Sequence, residues 1–377
     1  MKCVILAGGI GNTLWPLSRR NYPKQFLNIC EGRSLLQDTI VRNLPFADEF
    51  IIVTNESYKE IMESQLKAFQ GLRYRIIYES KNCGTFAGMY FGEFIEKYGE
   101  EVVGWKSSSL DRFPVLIKFI DAKNALSIQI HPDDDYALEN ENEFGKNEMW
   151  YVVDCEPGAY LYCGLKQDAN KEEIRERIEN NTITEILNKI EVHKGDCVMV
   201  KAGTIHAIGA GILICEIQQN SNCTYRMYDY DRKDKFGNRR ELHIDKAIDV
   251  VDVKKYKPFV SGNSDVPEGA ELLVSCKYFE CYKYVLGESV YTDDSSDKDI
   301  CNNDDGNSDI VAKPATDRIN ISVDTMSFRS IIVIEGSGKI TVGENEMDYR
   351  AGDSFFVTAG EKVVSVEGTG VVIVTKV

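Results

Sequence analysis

Two segments far apart in the chain share one pattern. Lys194–Ile217 reads KGDCVMVKAGTIHAIGAGILICEI, and Ala351–Val377 reads AGDSFFVTAGEKVVSVEGTGVVIVTKV. Aligning Gly195-Asp196 with Gly352-Asp353 also brings Ala202-Gly203 onto Ala359-Gly360. Each copy is a strand, a turn, a strand, a glycine turn and a further strand, so the chain is expected to carry two related β units. The same register sets His206 of the first copy opposite Val363 of the second: one copy has kept polar chemistry there and the other has not. From Val115 onwards short strands recur about every ten residues between Gly-Asp and Ala-Gly turns, the spacing of a β-sandwich or barrel. One helical insertion, Lys171–Asn188, interrupts them.

The first 79 residues have a different texture. Strands at Lys2–Ala7, Phe50–Asn55 and Tyr74–Glu79 alternate with helices near Ser34–Asn43 and Tyr58–Phe69, and a glycine-rich turn occupies Gly8–Gly11. This β-α-β-α-β order predicts a small parallel, Rossmann-like sheet. An amphipathic helix over Met89–Val103 bridges to the β-rich part. The expected division is therefore 1–79, 80–251 and 252–377. Within the last, Asp293–Asp309 (DDSSDKDICNNDDGNSD) is acidic, rich in Ser and Asn and almost free of apolar residues, the composition of a flexible loop.

Composition narrows the function. Eleven cysteines, odd in number and without a CxxC pair, do not make a disulfide framework and suit a reducing cytosol. The apolar run Cys3–Ala7 is too short for a signal-peptide core, and no run is long enough for a membrane span. A net charge of −16 argues against nucleic acid or an anionic membrane as partner. The expectation is a soluble cytoplasmic protein. An anionic ligand would have to be received by local basic residues.

The chain has only four histidines. In LSIQIHPDD, Gln129 and His131 are two apart on a strand and share a face, while Ile128 and Ile130 take the other. Glu148 heads the strand EMWYVV, and His206 follows the Ala-Gly turn. Two imidazoles and two oxygen donors from three strands suit Zn²⁺, with Fe, Co or Mn as alternatives. The competing reading is a hydrogen-bonded core histidine, and the spacing alone does not decide between them. His193 and His243 lie in charged surroundings and read as structural or solvated. Further on, CEIQQNSNCTYRMYDYDRKDKFGNRRELHIDKA carries Arg226, Arg232, Arg239 and Arg240 with Lys233 and Lys235, a natural place to receive an anion. Most of these can equally solvate a loop. Arg226 differs, because it sits in the alternating strand TYRMYDY.

At this point the motifs SIQIHPDD, GKNEMWYVVD, AGTIHAIGAGI, EIQQNSNCTYRMYDYDR and RELHIDKA resemble type I mannose-6-phosphate isomerases of the short bacterial kind. The resemblance runs from about Asn82 to the C-terminus and includes GTFAGMYFGEFIEKYGEEVVG, similar to the helical segment before the site in that family. It implies a double cupin fold with one Zn²⁺ per chain, held by Gln129, His131, Glu148 and His206. It also implies that Arg226 is essential for catalysis and that Lys146 handles a proton or orients substrate. The implied reaction interconverts mannose 6-phosphate and fructose 6-phosphate through an enediolate. That step needs a base and stabilisation of negative oxygen; Glu216, Lys146 and a metal-bound water remain candidates for the base.

The N-terminus, with VILAGGIGNTLWPLSRRNYPKQFLNICEGRSLLQDTI and IIVTNESYKEIMESQL, resembles the start of mannose-1-phosphate guanylyltransferases, whose glycine-rich loop holds nucleotide phosphate. Thr13 stands where that family carries an arginine. The resemblance also ends near residue 80, before the segments that complete such a site, so Lys24 of PKQF is left without its partners. Residues 1–79 are expected to be a structural cap or fusion remnant that covers a sheet edge. The first strands usual in the isomerases are missing, which leaves a catalytically impaired sugar-phosphate-binding protein as the main alternative, ahead of a guanylyltransferase or bifunctional enzyme.

Overall fold

Aliphatic runs too short to form independent hairpins pair in parallel at the N-terminus. In the computed structural model, which describes residues 2–7, 22–30, 32–55, 58–78, 88–108, 110, 112–233, 237–262, 265–287 and 316–377, the chain divides into two units, Met1–Lys97 and Tyr98–Val377. The glycine-rich turn at Gly8–Gly11, Thr13, and the acidic stretch Asp293–Asp309 lie outside the described residues, as does the expected boundary at 79–80.

In the first unit β1 (Lys2–Leu6), β4 (Glu49–Thr54) and β5 (Tyr74–Tyr78) form a parallel sheet in the order β1-β4-β5. A small antiparallel ribbon joins β2 (Asn28–Cys30) to β3 (Arg33–Ser34). Helix α1 (Leu35–Asn43) starts at a capping box: Ser34 Oγ accepts from the Gln37 N–H, and the Gln37 side chain accepts from the Ser34 N–H. One face of the sheet, with Phe50 and Ile52, shares a core with Leu36 and Ile40 of α1 and with Met62 and Leu66 of α2 (Lys59–Leu66). Gln65 closes the polar accounts of this core, taking a hydrogen bond from Ser34 Oγ and giving one to the Phe26 carbonyl. The three-stranded parallel arrangement follows the expected alternation.

The helix expected over Met89–Val103 is broken. Helix α3 (Phe91–Tyr98) stops at Gly99, which has φ 47°, and α4 (Glu100–Val103) and α5 (Trp105–Ser108) follow as single turns. Gly104 has φ 84°, and a Cβ there would lie 2.4 Å from the Met326 carbonyl oxygen. That close approach lets Lys106 N–H donate to Met326 and Phe328 N–H donate to Val103.

The named strands of the second unit pair antiparallel throughout. Strands β6 (Val115–Ala122), β7 (Ile128–Ile130), β8 (Glu148–Cys155), β9 (Tyr160–Leu165), β10 (Leu187–Glu191), β11 (Cys197–Val200), β12 (His206–Ile208), β13 (Ile212–Gln219) and β14 (Tyr225–Tyr228) make its first half. They form two sheets, ordered β10-β9-β12-β7-β14 and β11-β8-β13-β6. Trp150, Val152 and Ile214 from the four-stranded sheet share a core with Leu161, Cys163 and Ile208 from the five-stranded one. The opposite face of the five-stranded sheet, with Ile128, Ile130, Ala207 and Met227, is covered by α7 (Lys171–Glu179) and α8 (Ile244–Val250). The insertion expected to be helical to Asn188 is helix only to Glu179. Thereafter the chain turns through Asn181 (φ 59°) and a 3-10 turn at Ile183–Glu185, and Leu187–Glu191 joins the sheet as its edge. Helix α6 (Asp134–Glu141) is capped by Asp133, which accepts from the Tyr136 N–H.

The second half contains β15 (Ala270–Ser275), β16 (Glu280–Leu286), β17 (Arg318–Val323), β18 (Arg329–Val342), β19 (Asn345–Arg350), β20 (Ser354–Val357) and β21 (Lys362–Lys376). Long strand β21 pairs with β17 through its first half and with β16 through its second. Gly368 and Gly370 lie between those halves, and a Cβ at Gly370 would fall 1.9 Å from the Glu335 carbonyl oxygen. Val364 and Val366 share one apolar core with Val372 and Val374.

Candidate metal centre

The site grows from one row of the five-stranded sheet. Gln129 is register partner to His206 on one side and to Arg226 on the other, and His206 is also partnered with Cys163. Directly opposed residues of antiparallel strands project from the same face, so the polar side chains of this row point to the side where Cys163 and Leu161 meet Trp150. His131 follows two residues after Gln129 and joins them from just beyond the end of β7. Glu148 comes across from the four-stranded sheet, at the head of β8. Asn147 fixes that head, its Oδ1 accepting from the Ala202 N–H and its Nδ2 donating to Gln219.

His131, Glu148 and His206 are fully buried, and their ligand atoms lie within 4.8 Å of one another. His131 Nε2 is 3.5 Å from one Glu148 oxygen and His206 Nε2 is 3.4 Å from the other. The Nδ1 atoms face acceptor-only carbonyls, Cys223 at 3.0 Å and Thr204 at 2.8 Å. Each Nδ1 must therefore carry the proton, which leaves each Nε2 lone pair directed inward. Both Nε2 atoms and both Glu148 oxygens are buried without a hydrogen-bond partner, and of the four only Glu148 Oε2 has a counter-charge, the Lys146 ammonium at 2.7 Å. Four such atoms in one place are costly unless a further group binds them. The donor set fits a divalent cation.

Electrostatics agree. Burial lowers the basicity of both rings, and for His206, with His131 as its neighbour, the pKa falls to about 3. Burial alone would raise Glu148, but the Lys146 ammonium and the His131 ring outweigh it and hold the carboxyl well below its usual range. The group at rest is two neutral imidazoles and a carboxylate, the protonation state a metal requires.

A second set of charges adjoins the first. Lys146 is buried, with Nζ 2.7 Å from Glu148 and 3.9 Å from Glu216. Lys118, Glu216 and Trp150 form one row across β6, β13 and β8. Lys118 Nζ lies 2.9 Å from Glu216 and also donates to Gln218, while the Trp150 indole N–H donates to Glu216. Burial, then the nearby Glu148 charge, pushes the Glu216 carboxyl up. Lys118 and Gln218 carry no motif of their own. The available signal was a lysine inside the apolar run VLIKFI, facing the same way as the glutamate of CEIQQ once the strands pair.

Among the sequence candidates, His131, Glu148 and His206 converge and Lys146 joins them. Gln129 is half-buried in the same row. Arg226 lies two strands from His206, about 10 Å at the usual spacing; its Nη1 donates to the Glu241 carbonyl and its Nε is buried without a partner. The other arginines serve the loop itself: Arg232 and Arg240 converge on the buried Asp229 carboxylate, and Arg239 pairs with Asp231. His193 is exposed, and His243 bonds to the backbone of Arg226.

Different known proteins are similar to different parts of the chain. The nucleotidyl transferase family matches residues 2–136, running past the unit boundary at Lys97, and the cupin domain of mannose-6-phosphate isomerase matches residues 317–377. The mannose-6-phosphate isomerase ManA of Bacillus subtilis is 38% identical over 261 residues, which cover 68% of this chain and 73% of the relative. A crystal structure of the mannose 6-phosphate isomerase from Bacillus subtilis superposes with a TM-score of 0.64 and 31% identity, covering 78% of this chain and 84% of that one. The N-terminal similarity is to a mannose-1-phosphate guanylyltransferase of Salmonella muenchen, 47% identical over 92 residues, or 24% of this chain but only 20% of the relative. With that extent of identity along most of the β-rich part, the chain belongs to the mannose-6-phosphate isomerase family.

Proposed function

We propose that the protein is a zinc-dependent aldose-ketose isomerase that interconverts mannose 6-phosphate and fructose 6-phosphate. The buried Nε2 atoms of His131 and His206, turned without a hydrogen-bond partner toward the Glu148 carboxylate, carry this reading, together with the family's named activity. Gln129, in the row of His206, completes the ligand set, and one zinc ion per chain is expected. When bound, zinc supplies Lewis acidity toward an oxygen of the substrate.

The chain's own residues account for the proton chemistry. The reaction removes a proton from the carbon beside a carbonyl and returns one to the neighbouring carbon. Glu216, kept basic by burial and by Glu148, can hold that proton at a carboxyl oxygen. Lys146 Nζ stands between Glu148 and Glu216, placed to donate to oxygen as charge develops there. Trp150 and the apolar wall of Val152 and Ile214 exclude water. Arg226 completes the cationic side of the site and is assigned to catalysis.

The architecture fits two cupin-like units, 80–251 with the metal set and 252–377 without it. Residues 1–79 are read as a truncated nucleotidyltransferase-like fragment, a structural element or a remnant of fusion. No described helix is long and apolar enough to cross a membrane. Metal analysis of the purified protein, with a coupled assay on mannose 6-phosphate before and after chelation, tests the reading. About one zinc per chain and activity restored by zinc are expected; turnover unaffected by complete metal removal would refute it.

A further inference from the structure

Arg226 is gripped from one side by a returning segment of chain. Its backbone N–H donates to Nδ1 of His243 at 3.1 Å, and the His243 N–H donates back to the Arg226 carbonyl at 2.8 Å. Between them the Glu241 carbonyl accepts from Arg226 Nη1 at 2.8 Å. The same segment is fastened again three residues along β14 and beyond. Arg240 Nε donates to buried Asp229 at 2.7 Å, and Arg232 Nε donates to the other oxygen of that carboxylate at 3.1 Å. Arg232 Nη1 reaches on to the Ala125 carbonyl at 2.7 Å, just before β7, which carries Gln129. Lys233 and Arg239 form a β-bridge inside the return.

Two observations set this apart from an ordinary surface loop. Tyr230 and Asp231 are consecutive non-glycine residues with φ 54° and 55°, a left-handed pair that persists only where its surroundings impose it. The Arg226 Nε–H, moreover, is left buried with no acceptor, so the grip fixes the guanidinium without consuming that donor. An imidazole that accepts a backbone N–H at Nδ1 must carry its hydrogen on Nε2. The bond therefore specifies one neutral tautomer of His243.

We propose that His243 and Asp229 are positioning residues for Arg226: His243 through its Nδ1 acceptor and Asp229 through Arg240. Together they hold the guanidinium in one orientation, with Nη1 on the Glu241 carbonyl, at the end of the row that carries Gln129 and His206. The inference rests on the assignment of Arg226 to catalysis. A guanidinium on a long side chain contributes to a transition state only while its orientation is held, and a misplacement of about 1 Å can cost up to a hundredfold in rate. The arginines that read in sequence as anion receivers thus serve a buried carboxylate whose work is to aim the one arginine in the strand.

The test uses the zinc-loaded full chain with mannose 6-phosphate. His243→Ala is expected to lower kcat about tenfold with KM within about twofold. His243→Asn, whose Oδ1 can stand where Nδ1 stood, should recover most of the rate. In an Arg226→Ala background, His243→Ala should cost less than about twofold, because its effect passes through the missing side chain. Asp229→Asn, read in the same way, carries the test if His243→Ala does not fold. Full activity of both variants, or the same tenfold loss in the Arg226→Ala background, would overturn the proposal. If Arg226→Ala proves as fast as the wild type, it is the catalytic assignment that fails. Amide exchange of β14 then judges the grip separately: faster exchange in His243→Ala than in His243→Asn supports it, and equal exchange overturns it.

Discussion

The two β halves of the second unit match atom for atom at one corner and part company where chemistry begins. In the first, Asp196 accepts from the His193 N–H, and Val152 exchanges backbone hydrogen bonds with Gly195 and Asp196. In the second, Asp353 accepts from the Arg350 N–H, and Val333 does the same with Gly352 and Asp353. The equivalence carries along the strands. Val200 pairs with Glu148, and Val357 pairs with Arg329. Trp150 pairs with Glu216, and Ile331 pairs with Val374. So where the first half has the carboxylate of Glu148, the second has the guanidinium of Arg329, bound to Asp324 and to the carbonyls of Ser327 and Phe328. Where one has Glu216 the other has Val374, and His206 becomes Val363, which is 54% exposed. The difference teaches that the scaffold tolerates a polar interior but does not require it. Among the described residues of the second half the counterparts are either satisfied internally or replaced by an aliphatic side chain; in the first, two imidazole nitrogens and a carboxylate oxygen are left open together.

Copying the second half into the first is the harshest way to break the comparison. His206→Val should remove the metal and reduce kcat by about a thousandfold or more, read by metal content and coupled assay; a metal-loaded, active variant would show that the opened interior is not the site. Glu216→Gln should cost about a hundredfold or more in kcat with metal content unchanged, as expected for loss of a general base. Undiminished turnover would pass that role to another group. The converse change sharpens the contrast from the quiet side: Arg329→Met should lower stability by about 1–3 kcal/mol, since it strips partners from Asp324 and two carbonyls, yet leave kcat unaltered. Denaturant melts and steady-state rates measured together check it, and a parallel loss of activity would mean that the two halves are not separable.

The smallest expected effect concerns acid. In the metal-free protein the His206 pKa is held at about 3, against an ordinary 6.5. The unfolded chain therefore binds a proton that the folded one refuses in that interval. Stability is fully present above pH 6.5 and declines as pH falls toward 3. The second half has no counterpart to this group, so melting of the metal-free protein should fall between pH 7 and 5, and that of His206→Val should fall less, through His131 alone. Identical profiles would contradict the pairing of burial with neutrality at this imidazole.

Much of this was readable beforehand, and for definite reasons. The period-two placement of Gln129 and His131 put both on one face, and the repeat in Gly195-Asp196 and Gly352-Asp353 fixed which histidine had lost its counterpart. Those are local signals, and local signals survive folding. Lys118 was not readable, because its meaning arises only when β6 pairs with β13 and sets it beside Glu216. The fate of Arg232 and Arg240 was hidden for the same reason: Asp229 is an ordinary acidic residue until the return of the chain buries it between them. The continuous helix expected over Met89–Val103 failed at Gly99, where amphipathic periodicity outlasts the backbone's ability to follow it.

The close backbone approach at Gly104 bears on how the protein is made. Val102 to Lys106, early in the second unit, hydrogen-bond to Thr325, Met326, Phe328 and Ala359, which are made long after them. Until those arrive, the apolar side chains of Val102 and Val103, buried in the finished molecule, have no surface to settle on. Closure of this long loop comes late in synthesis, so a nascent enzyme stalled before residue 325 should carry a sticky, chaperone-accessible segment that the completed one conceals.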